Sequence, residues 1–150
     1  MEEKKRKLNK NVLWLFIALL LILIGALFAS LVNNNMGKTQ IFDFSIPTDD
    51  GQYVVGTVYK PKTATSTAQA PCVIFVPGFQ RTKESHYDLA LEFARRGIVC
   101  FIIDPYNQGD STASYNTSSS SSEAGAYGAI PLVNYLYDTG NVNYIDRDHR

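Results

Sequence analysis

Residues 70–111 read APCVIFVPGFQRTKESHYDLALEFARRGIVCFIIDPYNQGDS, and the order of apolar runs within them decides the fold. Cys72 to Val76 is a continuous apolar run closed by Pro77-Gly78. Continuous rather than alternating hydrophobicity predicts a strand buried on both faces, as in parallel sheets. A helix follows. Ser85 and Asp88 stand at the spacing of a capping box. Tyr87, Leu91, Ala94 and Ile98 form one stripe at helical spacing. Arg95, Arg96 and Gly97 supply a basic last turn and a glycine stop. Ile98 to Ile103 is the second apolar run, ended by Asp104-Pro105. A strand–helix–strand unit of this kind predicts parallel strands joined by a right-handed crossover.

Upstream, Ile41 to Pro47 alternates apolar and polar residues, as a half-buried strand does. Asp49-Asp50-Gly51 signals a turn, and Tyr53 to Tyr59 is β-branched and aromatic, so the two segments predict an antiparallel hairpin. Lys60 to Ala70 is small and polar, a surface loop. Downstream, Gln108 to Ser122 ends in five consecutive serines and reads as a flexible insertion. A helical pattern then runs from Glu123 to Tyr137, with Ala126, Ile130, Val133 and Tyr137 on one face. Pro131 either kinks that helix or marks a fresh start in its first turn. The element order is β-β-β-α-β-α, an α/β layout in which the last helix should lead into another parallel strand. No such strand is written before Arg150. The expectation is an incomplete sheet, aggregation-prone or loosely folded if cut from what precedes it.

What precedes it is Val12 to Val32, VLWLFIALLLILIGALFASLV, 21 residues without a charge. A helix of that length crosses a hydrocarbon core of about 30 Å. Lys4, Lys5, Arg6, Lys7 and Lys10 stand before it, and Asn33, Asn34 and Asn35 after it. Basic residues stay on the cytoplasmic side, so the N-terminus is expected inside and the remainder outside. Trp14 falls at the inner interface. A cleaved signal peptide is the competing reading, but its apolar region is shorter, and Leu27-Phe28-Ala29 is a poor cleavage site. The expected organisation is a basic tail at 1–11, a transmembrane helix at 12–32, a polar linker at 33–40 and the α/β domain at 41–150. The protein would be single-pass in the cell membrane, its C-terminal domain extracytoplasmic and its first partner the lipid bilayer.

The first eleven residues carry five basic and two acidic groups, and the rest nine basic and twelve acidic. The exported part is therefore mildly acidic, which argues against a nucleic-acid partner. Cys72 and Cys100 each sit in an apolar run. They read as small buried hydrophobes, or else as a disulfide between neighbouring strands in an oxidising space. Their surroundings show no metal or redox spacing, and no metal or cofactor is expected.

Two stretches resemble the α/β-hydrolase family. Residues 70–97 match its buried strand, glycine turn, variable loop and helix ending in R-G. Residues 98–111, IVCFIIDPYNQGDS, match its strand running into D-x-x-G-x-G-x-S. The hairpin fits the family's first two strands. The resemblance implies a fold class of α/β type, the N-terminal part of an α/β-hydrolase sheet behind one transmembrane helix. It implies an oxyanion hole at Gly78 and Phe79, with Gly78 allowing a sharp turn and Phe79 presenting a backbone N–H. It implies an active-site loop at Asp104, Asn107, Gly109 and Ser111. Pro77 departs from the family's frequent histidine, and Asn107 replaces its first glycine, a residue that still tolerates the left-handed conformation.

No G-x-S-x-G occurs, so the triad of serine, acid and histidine is expected beyond Arg150. Ser111 and Ser114 are not placed on a strand-to-helix turn. His86 and His149 are expected to be solvent-exposed and non-catalytic. Taken singly, Gly78, Asp104 and Gly109 are ordinary turn residues of any α/β protein. The implied activity is hydrolysis of a small ester through an acyl-enzyme in a longer form, with this chain inactive alone. The alternative is a non-catalytic exported binding module. A nucleotide-binding domain fails for lack of G-x-G-x-x-G.

Overall fold

The computed structural model describes residues 9–48, 51–78, 80–112, 128–138 and 140–148. Helix α1, Lys10–Asn33, is capped by Asn9, whose side chain accepts from the Asn11 N–H. Every described side chain on it is exposed. Its 24 residues make a rod of about 36 Å, long and apolar enough to cross a membrane.

The expected polar linker is instead a tight bonded turn. Asn35, Met36 and Gly37 all take positive φ. Met36 N–H reaches back to Leu31 O at 2.6 Å, and Gly37 N–H donates to Asn34 Oδ1 at 2.7 Å. Strand β1, Thr39–Pro47, therefore starts two residues before the alternating pattern did. It pairs antiparallel with β2, Tyr53–Pro61, from Thr39 opposite Pro61 to Pro47 opposite Tyr53. Gly51 closes the hairpin at φ +73°, and Asp49 and Asp50 lie outside the described residues.

Strand β3, Cys72–Phe75, leads through a 3-10 turn at Lys83–His86 into helix α2, Tyr87–Arg95. Strand β4, Val99–Ile103, follows and pairs parallel with β3. Helix α3, Ala129–Tyr137, comes last. The sheet order is β1-β2-β4-β3. Because β1 and the parallel pair run the same way, Thr39, Cys72 and Val99 begin at one end of the sheet. Pro47, Phe75 and Ile103 finish at the other.

Strand β4 is buried on both faces, as its unbroken apolar run required. Val99, Phe101 and Ile103 join Ile46, Val54, Val58, Leu132 and Leu136 on the α3 side. Cys100 and Ile102 join Tyr59, Ala90 and Ala94 on the α2 side. Strand β3 corrects the matching expectation: it is only half-buried, because it lies at the sheet edge and β4 is its one strand neighbour among the described residues. Gly56 has a steric reason to be glycine. A Cβ there would come within 2.3 Å of Ile102 O and 2.6 Å of the Phe44 ring. That ring lies across the gap and meets Phe101 edge-on, with centroids 5.7 Å apart.

Two local expectations are corrected, the capping box and the buried face of the last helix, and two open alternatives, at Pro131 and at the cysteines, are resolved. Ser85 makes no capping box. It lies inside the 3-10 turn, donates to Thr82 O at 2.8 Å, and neither helical start has a side-chain cap. Helix α3 begins at Ala129 with Pro131 in its first turn, the fresh start rather than the kink. It buries Leu132 and Leu136, while Ile130 and Tyr137 are exposed and Ala126 lies outside the described residues. Cys72 and Cys100 form no disulfide. Cys72 stands opposite Val99 and Cys100 opposite Val73, an offset of one residue, so the two thiols point to opposite faces of the sheet.

Candidate active-site end

The loops after β3 and β4 meet at one end of the sheet, and Asp104 is the residue on which they converge. It follows β4 directly, and its N–H continues the ladder to Val55 O at 2.8 Å. Its carboxylate is fully buried. Burying a carboxylate is costly unless it is paired and hydrogen-bonded. Oδ1 accepts from Lys83 N–H at 2.7 Å. Oδ2 accepts from Lys83 Nζ at 2.7 Å and from Asp110 N–H at 3.0 Å.

The loop is shaped to bring those donors in. Asn107 takes φ +59°, the left-handed conformation expected at that position, and Gly109 takes φ +56°. A Cβ on Gly109 would sit 2.3 Å from the Asp104 carboxyl carbon, so the backbone packs directly on the carboxylate. Ser111 is buried, donating its hydroxyl to Asp104 O at 2.8 Å and accepting from Val55 N–H at 2.9 Å. Thr112 and Tyr53 then exchange two further hydrogen bonds. The loop is thus sewn to the start of β2.

Lys83 is the residue that sequence reasoning missed. Its side chain is 6 % exposed, and its ammonium lies 2.7 Å from Asp104 and 2.6 Å from Asp110, which is itself mostly in solvent. Burial alone would lower its pKa, but the hydrogen bonds and charges of Asp104 and Asp110 outweigh it and hold the pKa above the ordinary lysine range. A signal existed. A carboxylate at the end of a wholly apolar strand needs a cation, and the facing loop offers only Arg81 and Lys83.

The loop after β3 is more lightly held. Arg81 N–H donates to Gly78 O at 3.1 Å. The left-handed residue of this turn is Gln80, at φ +62°, not Gly78. A Cβ at Gly78 would meet open space, so the reason given above for that glycine does not hold. Phe79, the expected oxyanion donor, lies outside the described residues, as do Ser114 and His149.

His86 is half-buried rather than exposed. Its ring stacks on Phe75 with centroids 5.9 Å apart, and Nδ1 lies 2.9 Å from Ser85 Oγ. That adjacent pair is not a nucleophile and base, since the Ser85 hydroxyl is donated to Thr82 O. Burial pushes both thiols up to about 12, so neither cysteine is a ready thiolate. Among the described residues no three His, Cys, Asp or Glu side chains gather to hold a metal.

At the opposite end of the sheet the chain returns to β3. Ala70 N–H donates to Tyr144 O at 3.1 Å, and Asp146 N–H donates to Ala70 O at 2.8 Å, a single parallel bridge between Ala70 and Ile145. Beside it, between the exposed edge of β3 and α3, runs a cleft of about 240 Å³ lined by Cys72, Ile74, Val133, Leu136 and Ile145. Arg147 borders it, tied to α3 by a bond to Leu136 O at 2.8 Å.

The chain matches no protein-family model and no curated protein. Solved structures do resemble it. Alpha/beta hydrolase GrgF from a Penicillium species superposes with a TM-score of 0.53 and 23% identity over 66% of this chain and 32% of that one. Acetyl xylan esterase 1 from a Thermoanaerobacterium species gives 0.52 and 17% over 74% and 38%. Est1E of Butyrivibrio proteoclasticus, solved with ferulic acid, gives 0.53 and 18% over 69% and 39%. The fold is therefore a partial α/β-hydrolase fold, and the chain spans between 32% and 39% of the length of these three structures.

Proposed function

We propose that this chain is the front part of a membrane-anchored, extracytoplasmic serine hydrolase that cleaves small esters. The observation that carries the reading is the parallel bridge at Ala70–Ile145. It aims the chain along the exposed edge of β3, toward the end where Gly78 and Asp104 stand. A further strand on that edge would end beside the loop after β3. In the family's layout a serine on the turn after that strand takes one oxyanion donor from the loop after β3 and the other from its own following N–H. Such a strand would also cover Cys72 and Ile74, which are now half-buried.

In this reading the serine oxygen attacks the ester carbonyl and a histidine takes its proton. The alcohol leaves, and water releases the acid from the acyl-enzyme. The described residues contribute one wall of the site and no nucleophile. The acetyl xylan esterase and the ferulic acid complex among the similar structures favour small acyl esters as the substrate class. The length and exposure of α1, with five basic residues among the first eleven, support a membrane anchor with its N-terminus inside.

The test is to read the coding sequence past Arg150 and treat membranes containing the whole product with a fluorophosphonate. Labelling of one serine on a G-x-S-x-G turn, with p-nitrophenyl acetate hydrolysis that the label abolishes, is the expected result. A stop codon after Arg150 and no labelled serine would leave a non-catalytic binding module instead.

A further inference from the structure

The end of the sheet nearest α1 carries lysines in an arrangement that folding alone does not favour. One step past the β1–β2 ladder, Lys62 N–H donates to Lys38 O at 2.9 Å, so the two lysines stand opposite each other. Directly opposed residues share a face, and so does Lys60, two positions before Lys62. Like charges placed so are destabilising. Yet none of the three has an acidic partner among the described residues. Lys38 and Lys62 are exposed. Lys60 is held forward by a bond to Gln40 Oε1 at 3.1 Å and by the Tyr144 ring 5.0 Å below its ammonium.

Their position says what they face. Lys38 is five residues beyond the end of α1, and the intervening turn doubles back on the helix, with Thr39 N–H bonded to Asn34 O at 3.1 Å. The headgroup zone outside a hydrocarbon core is about 5–8 Å deep on each side. A compact turn off a membrane helix therefore leaves Lys38 at headgroup depth, with Lys60 and Lys62 beside it. Met36, 66 % exposed in the same turn, adds an apolar contact at the boundary. The far end of β1 lies nine residues away, about 30 Å. That end has Glu84, Asp104 and Asp110 against Arg81 and Lys83, an acidic excess.

We propose that Lys38, Lys60 and Lys62 form a docking surface for anionic phospholipid headgroups that holds the domain upright on the bilayer. The acidic end is then turned to the aqueous side, and substrate reaches the Gly78–Asp104 loops from solution rather than from the membrane. The proposal rests on α1 spanning the bilayer.

The experiment places spin labels on the full chain in a Cys72→Ala/Cys100→Ala background, at Thr63→Cys beside the lysines and at Tyr53→Cys on the far end. Both positions are exposed. Nanodiscs carry a nickel-chelating lipid in either phosphatidylglycerol or phosphatidylcholine. In phosphatidylglycerol, relaxation by nickel is expected to be strong at position 63 and weak at 53. In phosphatidylcholine, or in phosphatidylglycerol at 1 M salt, the contrast should shrink as screening takes hold. Lys38→Gln/Lys60→Gln/Lys62→Gln should reproduce the phosphatidylcholine result, each lysine contributing about fivefold to the docked-to-undocked ratio. Equal relaxation at both positions, or a contrast indifferent to lipid charge and to the three substitutions, overturns the proposal. Failure of the chain to enter either disc removes the anchor and the docking surface together, and is recognised by its independence of lipid charge.

Discussion

Two loops leave the same end of the sheet, and they are held very differently. The Asp104–Thr112 loop is fastened by bonds to Val55, Lys83 and Tyr53, with a glycine seated on the carboxylate it surrounds. Among the described residues the backbone bonds of the Pro77–Thr82 loop are local, Arg81 N–H to Gly78 O and Ser85 N–H to Thr82 O. Lys83 is where they join, giving its N–H and its ammonium to Asp104. The difference teaches that the second loop borrows its position from the first. A site built here would rest on Asp104, although Asp104 is itself fully buried.

Breaking that dependence should cost most at Asp104. Replacing Asp104 by Ala leaves the Lys83 ammonium buried beside one exposed aspartate, and a loss of about 3–5 kcal/mol is expected in urea unfolding of the full chain in micelles. Gly109→Ala should lose about 2–4 kcal/mol, because its Cβ collides with the carboxylate at a left-handed position. Lys83→Met removes one charge but leaves Asp104 two backbone donors, so about 2–3 kcal/mol is expected. Hydrogen exchange should quicken more at Gln80 and Arg81 than at Ser111 and Thr112. Equal quickening of both loops would contradict the borrowed position.

Acidity sharpens the same comparison. The folded pKa of Lys83 is raised above its unfolded value, so its contribution is complete below about pH 10 and is lost as pH climbs through the folded value. Alkaline titration followed by exchange should therefore loosen the Pro77–Thr82 loop first, and Lys83→Met should abolish that step. The smallest effect is expected at Asn107→Gly. Glycine occupies the left-handed region at no steric cost, so stability should change by less than about 0.5 kcal/mol. Asn107→Val, β-branched at the same φ, should lose about 1–2 kcal/mol.

The sequence discloses these regions unequally. The strand–helix–strand unit is legible because β4 must be hidden on both sides, and only an unbroken apolar run satisfies that. The left-handed Asn107 is legible because few residues other than glycine tolerate the conformation. The edge position of β3 is not, since Cys72–Phe75 looks the same whether one neighbour lies beside it or two. The buried face of α3 misleads because AIPLVNYLY is apolar nearly all round, so nine residues fit more than one phase. Lys83 is hidden by distance: its partner stands 21 positions away, and its neighbours Glu84 and Ser85 give it the look of a solvated helix start.

The offset that keeps Cys72 and Cys100 apart gives the molecule a clock and a reference for it. Each thiol lies beneath a different layer, Cys72 against the α3 side and Cys100 against the α2 side. An alkylating reagent can reach buried Cys100 only when α2 lifts, whereas half-buried Cys72 already borders the cleft beside β3. The labelling rate of Cys100, read against that of the more open Cys72, would time the opening of the α2 layer with the protein's own thiols.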